Sequence, residues 1–195
     1  MMKRSSTFEG RVRLLWCRED DTDDLPKNWQ ELASPAERER ASNMKSSARA
    51  YTFLRTRALL RQELAVLTGL KAPEIPIKQT PEGRPFLALA DTSLDFSLSH
   101  SEGHIFIGIL EGGRLGIDLQ YMDTETPVEK LAKRFFTPEE YQAVESAADM
   151  RMQFFKIWSL KEARFKLGDV KDAKVEEEIG ISGDGFAYAV CCIAA

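Results

Sequence analysis

The stretch LDFSLSHSEGHIFIGILEGGRLGIDLQ, residues 94–120, decides the fold that this sequence predicts. It contains three strand-like runs, Leu94–Ser99, Ile105–Leu110 and Leu115–Gln120, each rich in apolar side chains and bounded by turn-forming residues. The segment Glu111-Gly112-Gly113-Arg114 favours a short connection between the last two runs. Together, the runs predict a meander of neighbouring strands.

Helical patterns lie on both sides of these strands. Ser34-Pro35-Ala36-Glu37 and Thr137-Pro138-Glu139-Glu140 each combine an N-cap hydroxyl, a proline at the first helical position and a reciprocal glutamate, which is a capping box. The other predicted elements are strands at 12–16 and 186–193 and helices at 47–67 and 150–167, the helices ending at Gly69 and Gly168. Any division into two domains must fall near Arg114.

Composition and charge narrow the class of protein. The chain has 195 residues, 43% of them hydrophobic, and a net charge of -4, which argues against a general nucleic-acid binder. No apolar run is long enough to cross a membrane, and residues 1–18 lack the apolar core of a signal peptide. Three cysteines, two of them adjacent, form neither a disulfide framework nor a metal motif, so we expect a cytoplasmic protein.

The helix predicted over 150–167 carries a carboxylate on its apolar face. A helical wheel places Glu162 among Phe154, Phe155, Trp158 and Phe165. Burying an unpaired carboxylate is costly, so a cation must neutralise it. That cation is either a metal ion or Lys166, which lies four residues further along the helix.

The helix predicted over 47–67 shows the same conflict with the opposite sign. Arg57 and Arg61 fall inside its apolar arc, whereas Arg55 is predicted to face the polar side. Such arginines either extend along the apolar surface to water or present guanidinium groups to a phosphate in a cleft.

Two polar side chains share one face of the strand predicted over 115–120. Period-two alternation places Asp118 and Gln120 together beside Gly116, with Ile117 and Leu119 opposite. Two such oxygens suit Mg²⁺, although a lone aspartate near a strand end is also a common turn or cap residue.

The Ser99-His100-Ser101 sequence does not indicate a hydrolase. Adjacent residues on a strand point to opposite faces, and the chain has no G-x-S-x-G elbow. Its two histidines, without suitable cysteines, also argue against zinc, so a structural or phosphate-binding role suits His100 better.

The order of four motifs resembles the 4′-phosphopantetheinyl transferases of the Sfp type. The motifs are Gly83-Arg84-Pro85-Phe86, then Phe96-Ser97-Leu98-Ser99-His100-Ser101, then Gly116-Ile117-Asp118, then Trp158-Ser159-Leu160-Lys161-Glu162-Ala163-Arg164-Phe165-Lys166. The resemblance extends from about Ser34 to Gly168 and includes Arg134–Tyr141 between the last two motifs.

The resemblance implies an α+β fold built as a pseudo-dimer of two similar halves with a cleft between them. Residues 1–114 would bind the phosphates of coenzyme A, and residues 115–195 would carry the magnesium ion and the catalytic residues. The implied reaction is magnesium-dependent transfer of 4′-phosphopantetheine to a serine of an acyl or peptidyl carrier protein, releasing 3′,5′-ADP. Mn²⁺ is a possible replacement, and the family plan implies a monomer.

The resemblance also implies roles for individual residues. Asp118, Glu162 and Lys166 would be catalytic, and Glu162 or a water on the metal would take the serine proton. Asp118 and Glu162 would bind the metal, with Gln120 binding weakly or through water. The residues implied in coenzyme A binding are Arg40, Arg57, Arg84, Ser99, His100, Lys161 and Lys166.

Two departures from the family keep other interpretations open. Gln120 stands where many members have a second acidic residue, and the chain after Lys166 is short, so we expect a trimmed second half. A non-catalytic module that binds coenzyme A or a carrier protein is one alternative. A metal-dependent phosphodiesterase is another, although Glu162 and Lys166 lie four apart on a helix rather than two apart on a strand.

Overall fold

The computed structural model describes residues 2–21, 23–170 and 173–194 and has the α+β architecture that the resemblance implies. Its strands are β1 (Lys3–Thr7), β2 (Val12–Arg18), β3 (Ile77–Gln79), β4 (Pro85–Leu87), β5 (Leu94–Ser101), β6 (His104–Glu111), β7 (Gly113–Tyr121), β8 (Glu176–Ile181) and β9 (Phe186–Ala194). Its α-helices are α1 (Pro35–Ser42), α2 (Ser47–Thr68), α3 (Val128–Phe135), α4 (Pro138–Glu145) and α5 (Met150–Leu167). Short 3-10 turns lie at Trp29–Leu32 and Ala72–Glu74.

Both predicted capping boxes are present. At the start of α1, the Glu37 amide donates to Ser34 Oγ at 3.3 Å, and the Ser34 amide donates to Glu37 Oε2 at 2.9 Å. Thr137 and Glu140 form the same reciprocal pair at α4. Gly69 ends α2 in the left-handed region, with φ of 71°, which glycine adopts without steric cost.

The first sheet has the order β1-β2-β6-β5, and all its neighbours are antiparallel. Alternation along β6 sends Ile105, Ile107 and Ile109 to one face, where they pack against Leu60 and Leu64 of α2. This packing forms the core of the N-terminal part of the chain.

The second sheet, of order β7-β9-β8, shows that the predicted meander is wrong for its third strand. β7 leaves β6 and pairs antiparallel with β9 along its whole length, from Gly113 to Tyr121. The distant C-terminal strand therefore supplies a longer backbone ladder than a hairpin with β6 would. One face of β7 packs Ile117 and Leu119 against the first sheet, and α5 covers the other face.

Side chains of β5 join the two sheets through a ladder of hydrogen bonds to the backbone of β7. The β7 amides of residues 115, 117, 119 and 121 donate to Asp95 Oδ2, Ser97 Oγ, Ser99 Oγ and Ser101 Oγ at 2.8–3.1 Å. β7 is an edge strand of its own sheet, so these side chains satisfy amides that would otherwise lack a partner. We call this row the hydroxyl ladder.

Two side chains do not lie where the helical wheels predict. Arg55 is buried, 2% exposed, with its Cζ 5.8 Å from the Trp29 ring centroid, because the 3-10 turn covers this side of α2. Phe165 is 82% exposed, whereas Phe154, near the start of α5, is buried against side chains of α3 and α4.

The three cysteines are unpaired and buried, and no described helix is both long and apolar enough to cross a membrane.

Candidate active site

Four predicted site residues meet where β5, β7 and α5 converge. They are Ser99, Asp118, Gln120 and Lys166, and we call this group the junction site. Gly116 makes the convergence possible, because a Cβ there would lie 2.0 Å from the Ala163 carbonyl oxygen of α5. The helix therefore crosses β7 at the glycine and brings Lys166 to Asp118, two residues further along the strand.

Asp118 is the centre of the junction site. Its side chain is 3% exposed and accepts hydrogen bonds on both oxygens. Lys166 Nζ lies 2.7 Å and Ser99 Oγ 3.0 Å from Oδ1, and Gln120 Nε2 lies 3.1 Å from Oδ2. Lys166 also donates to Ser99 Oγ at 3.2 Å. The buried negative charge is thus balanced by one ammonium group and two neutral donors.

Glu162 is half-buried rather than buried, which corrects the helical-wheel interpretation. It lies on the same face of α5 as Lys166, since residues four apart in a helix are neighbours on its surface. Lys166 pairs with Asp118 instead, and within the described residues the Glu162 side chain has no ion pair or hydrogen bond. Glu162 is therefore free to bind a cation or accept a proton.

The donor set of the junction suits a magnesium ion that brings ligands with it. No cluster of three or more His, Cys, Asp or Glu residues with metal-binding geometry occurs among residues 2–21, 23–170 and 173–194. Asp118 and Glu162 supply two carboxylates and Gln120 a carboxamide, and Mg²⁺ commonly takes one or two carboxylates plus substrate phosphates. The partnerless Glu162 side chain fits this use.

A second polar region, the arginine cavity, lies beside α1 and α2. Its volume is about 250 Å³, and its lining includes Arg40, Arg57, Lys78, Phe53 and Glu37. The guanidinium carbons of Arg40 and Arg57 lie 5.0 Å and 5.4 Å from the Phe53 ring centroid, so the aromatic ring supports both cations.

Arg57 is the buried cation of this cavity. The residue is 6% exposed, and its buried Nη1 has no partner among the described residues. Burial lowers the pKa of Arg57, an effect that the nearby Glu37 carboxylate opposes. A buried guanidinium with unused donors that lines a cavity is suited to an anion.

Lys78 and Glu37 are members of this cavity that sequence reasoning missed. Lys78 lies in β3, whose pairing with β4 brings it opposite Phe86. The G-R-P-F motif lies at the start of β4 and could have indicated the β3–β4 hairpin. It could not have indicated which side chain of β3 faces α2. The sequence predicted Glu37 as a capping residue. That role gave no indication that its carboxylate also contacts Arg57 and Arg61.

Neither the junction site nor the arginine cavity, as defined above, includes Arg84, Lys161 or His100. Arg84 donates to Asp95 Oδ2 at 2.8 Å, to the Leu115 carbonyl at 3.0 Å and to the Lys166 carbonyl, so it links β4, β5, β7 and α5. Lys161 pairs with Glu140 of α4 at 2.8 Å. His100 keeps part of its ring in solvent, and desolvation of the rest, followed by the Lys166 charge, lowers its pKa.

Comparisons with known proteins agree with the resemblance. Residues 114–176, which include Asp118, Glu162 and Lys166, match the 4′-phosphopantetheinyl transferase superfamily. The chain is 35% identical to the 4′-phosphopantetheinyl transferase HetI of Nostoc sp., over 64% of this chain and 54% of the relative. It is 32% identical to the 4′-phosphopantetheinyl transferase psf-1 of Bacillus pumilus, over 56% and 46%, and 32% identical to a 4′-phosphopantetheinyl transferase of Bacillus subtilis, over 55% and 47%. The chain thus spans about half the length of these curated relatives. Together, these matches show that the chain is similar to members of the 4′-phosphopantetheinyl transferase superfamily, with the family match itself confined to residues 114–176.

Proposed function

We propose that the protein is an Sfp-type enzyme that transfers 4′-phosphopantetheine from coenzyme A to a serine of an acyl or peptidyl carrier protein. The observation that carries this proposal is the junction site, whose Asp118, Gln120 and Lys166 lie within the segment that matches the superfamily. There, a buried aspartate meets Lys166 at 2.7 Å, and Glu162 is half-buried one helical turn away. Transfer of a phosphoryl-type group needs such positioning and charge neutralisation more than covalent help from the protein.

We assign the two halves of the chain different tasks. Residues 1–114 contain the arginine cavity, whose Arg40 and Arg57 would hold phosphates of coenzyme A. Residues 115–195 contain Asp118, Glu162 and Lys166, which would act on the pyrophosphate. Coenzyme A would therefore lie between the halves, next to the hydroxyl ladder.

The reaction forms one phosphorus–oxygen bond and breaks another, and the serine proton is transferred. The carrier serine Oγ attacks the phosphorus that bears the pantetheine, the bond from that phosphorus to the bridging oxygen breaks, and 3′,5′-ADP leaves. Glu162 takes the serine proton, because its carboxylate has no protein partner among the described residues. Lys166 balances charge on the phosphate oxygens, with Ser99 and His100 beside it.

We propose that Asp118 and Glu162 hold Mg²⁺ or Mn²⁺ when coenzyme A is bound, with Gln120 contributing weakly or through water. The ion would neutralise negative charge on the pyrophosphate. Arg84 and Lys161 would support the site through their contacts with β5, β7 and α4 rather than by free donors.

Intact-mass spectrometry tests the function directly. An apo carrier protein incubated with this protein, coenzyme A and Mg²⁺ should gain one phosphopantetheine, and EDTA should prevent the gain. Glu162→Gln should lower the rate by a factor of about 10²–10⁴ while the protein stays folded. Glu129→Gln, a change of an exposed carboxylate on α3, is the matched control and should leave the rate unchanged. No gain across fatty-acid, polyketide and peptide carriers would refute the proposal.

One observation favours a second candidate, a non-catalytic module that binds coenzyme A or a carrier protein. Gln120 places its amide nitrogen, rather than a carboxylate oxygen, 3.1 Å from Asp118 Oδ2. This contact opposes metal binding at that oxygen until the side-chain amide of Gln120 rotates and exchanges its nitrogen for its oxygen. Coenzyme A binding without magnesium-dependent turnover would support this candidate.

The carrier protein is proposed to dock through its acidic surface. Within the basic segment between Lys45 and Arg61, Lys45 and Arg49 are exposed, whereas Arg57 and Arg61 are buried. Charge reversal at Lys45 and Arg49 should therefore raise the KM for the carrier without changing the KM for coenzyme A. An unchanged carrier KM would exclude this surface. We expect the enzyme to act as a cytoplasmic monomer.

A further inference from the structure

We infer that Glu37 is a positioning residue that holds the Arg57 guanidinium at the arginine cavity. The inference rests on the proposed function, in which that cavity receives a phosphate of coenzyme A. It adds a carboxylate to the residues that shape this part of the site. The residues proposed to bind the phosphate, Arg40 and Arg57, carry the opposite charge.

The arrangement begins at Arg61, a buried arginine that links Glu37 to the backbone that follows α2. Arg61 is 2% exposed, and its Nη1 donates to the carbonyl oxygens of Ala72 and Ile75 at 2.7 and 2.9 Å. Its Nε donates to Glu37 Oε2 at 2.6 Å. The Glu37 carboxylate is thus fixed to the chain that follows α2.

The two oxygens of Glu37 are used differently. Oε2 accepts from Arg61 and from the Ser34 amide of the capping box. Oε1 faces Arg57, whose Nε lies 3.7 Å away. A capping box needs one oxygen only, so the second is available for the guanidinium of the cavity.

The charges explain why Arg57 needs this contact. Its side chain is 8% exposed, burial disfavours its charged form, and the like charges of Arg40 and Arg61 add to that effect. Glu37, 12% exposed, is the carboxylate paired with it. The pair leaves Nη1 without a partner, so Glu37 compensates the charge of Arg57 without consuming all of its donors.

A double-mutant cycle tests the inference. Glu37→Gln should weaken binding of coenzyme A, measured by titration calorimetry, by about tenfold, as expected for a coupled pair of contacting residues. In the Arg57→Ala background the same change should have almost no effect, because the group that Glu37 positions is gone. Equal effects in both backgrounds would show that Glu37 only stabilises α1 and would overturn the inference.

The control separates positioning from loss of stability. Ile105→Val removes one methyl group from the core behind α2 and should lower the melting temperature of the protein. It should leave coenzyme A binding unchanged. If Glu37→Gln does not fold, Glu37→Asp keeps the charge for Arg61 but shortens the reach toward Arg57, and it should show the same pattern.

A second measurement does not depend on the ligand. Nuclear relaxation of the Arg57 ¹⁵Nε should report an ordered side chain in the unliganded wild-type protein and a mobile one in Glu37→Gln, with no change in Ile105→Val. A mobile Arg57 in the wild-type protein would refute the inference. Failure of the wild-type protein to bind coenzyme A, with Arg57 ordered by Glu37, would instead refute the proposed function and leave the positioning role supported.

Discussion

The junction site and the arginine cavity treat buried charge in opposite ways. At the junction, the Asp118 carboxylate is 3% exposed and accepts from Lys166, Ser99 and Gln120. In the cavity, the Arg57 side chain is 8% exposed and has one long ion pair, with Glu37, and a buried donor that finds no partner in the described part of the chain. The hydrogen-bonding groups of Asp118 are thus used within the protein, whereas Arg57 keeps an unused donor.

This difference predicts different responses to ligands. The cavity is suited to receive an anion, since the Arg57 guanidinium that lines it is already desolvated. The junction must change partners before a cation can reach Asp118, because Lys166 occupies that position. Binding of metal and pyrophosphate together would allow this exchange of partners, since the phosphate oxygens could accept hydrogen bonds from Lys166 as it leaves Asp118.

The largest expected effect comes from removing the internal cation of the junction. Lys166→Met should leave Asp118 buried without its ammonium partner and lower the free energy of unfolding by about 3 kcal/mol, measured by urea denaturation. Transfer should also be lost. Lys133→Met, which breaks an exposed pair with Glu129, should cost less than about 1 kcal/mol. Equal stability of the two variants would show that the junction charge is not buried in the way described.

The next largest effect should follow from closing the gap at Gly116. In Gly116→Ala, the added Cβ meets the backbone of α5, so the helix must move away from β7 at a cost of about 1–3 kcal/mol. The distance between Lys166 and Asp118 would then increase, and transfer should fall with stability. Gly183→Ala is the control, because no atom lies within 4 Å of its added Cβ. Full activity of Gly116→Ala would contradict the close crossing.

A smaller effect is expected for the cavity arginine. Arg57→Ala should raise the KM for coenzyme A by about tenfold, with kcat changed less, because a preformed phosphate contact is lost. Stability should change little, since Glu37 keeps Arg61 as a partner. Arg18→Ala, at an exposed arginine on β2, provides the comparison. An unchanged KM for Arg57→Ala would exclude the cavity as a phosphate site.

The smallest effect should come from Gln120→Glu. A third carboxylate near Asp118 and Glu162 should lower the Mg²⁺ concentration needed for half-maximal transfer by several-fold, as ligand charge strengthens binding of hard cations. Gln142→Glu, on the exposed side of α4, controls for the added charge. A higher magnesium requirement for Gln120→Glu would show that residue 120 does not face the metal.

Local signals predicted the capped helices and the central strands, but they did not predict β1, α3 or β8, or the partners of every strand. The capping boxes at Ser34 and Thr137 and the glycines after α2 and α5 act within a few residues, so the sequence reveals them directly. The pairing of β7 with β9 joins residues that are distant in the sequence, as in the register of Asp118 with Ala189, which are 71 positions apart. Strand periodicity alone carries no such information.

The site residues show the same difference between what local signals predict and what depends on distant parts of the chain. Alternation correctly placed Asp118 apart from Ile117, and helical spacing correctly placed Glu162 and Lys166 on one face. Helical wheels could not predict the burial of Arg55, because Trp29 of a distant 3-10 turn covers it, or the exposure of Phe165. The roles of the individual site residues stay predictions, and the variants above test them.

The hydroxyl ladder has a consequence for how the two sheets can move. A slide of β5 along β7 would carry Ser97, Ser99 and Ser101 away from the amides that donate to them and would break these contacts together. The ladder therefore fixes the register of the two sheets, in addition to the apolar packing of Ile117 and Leu119 between them.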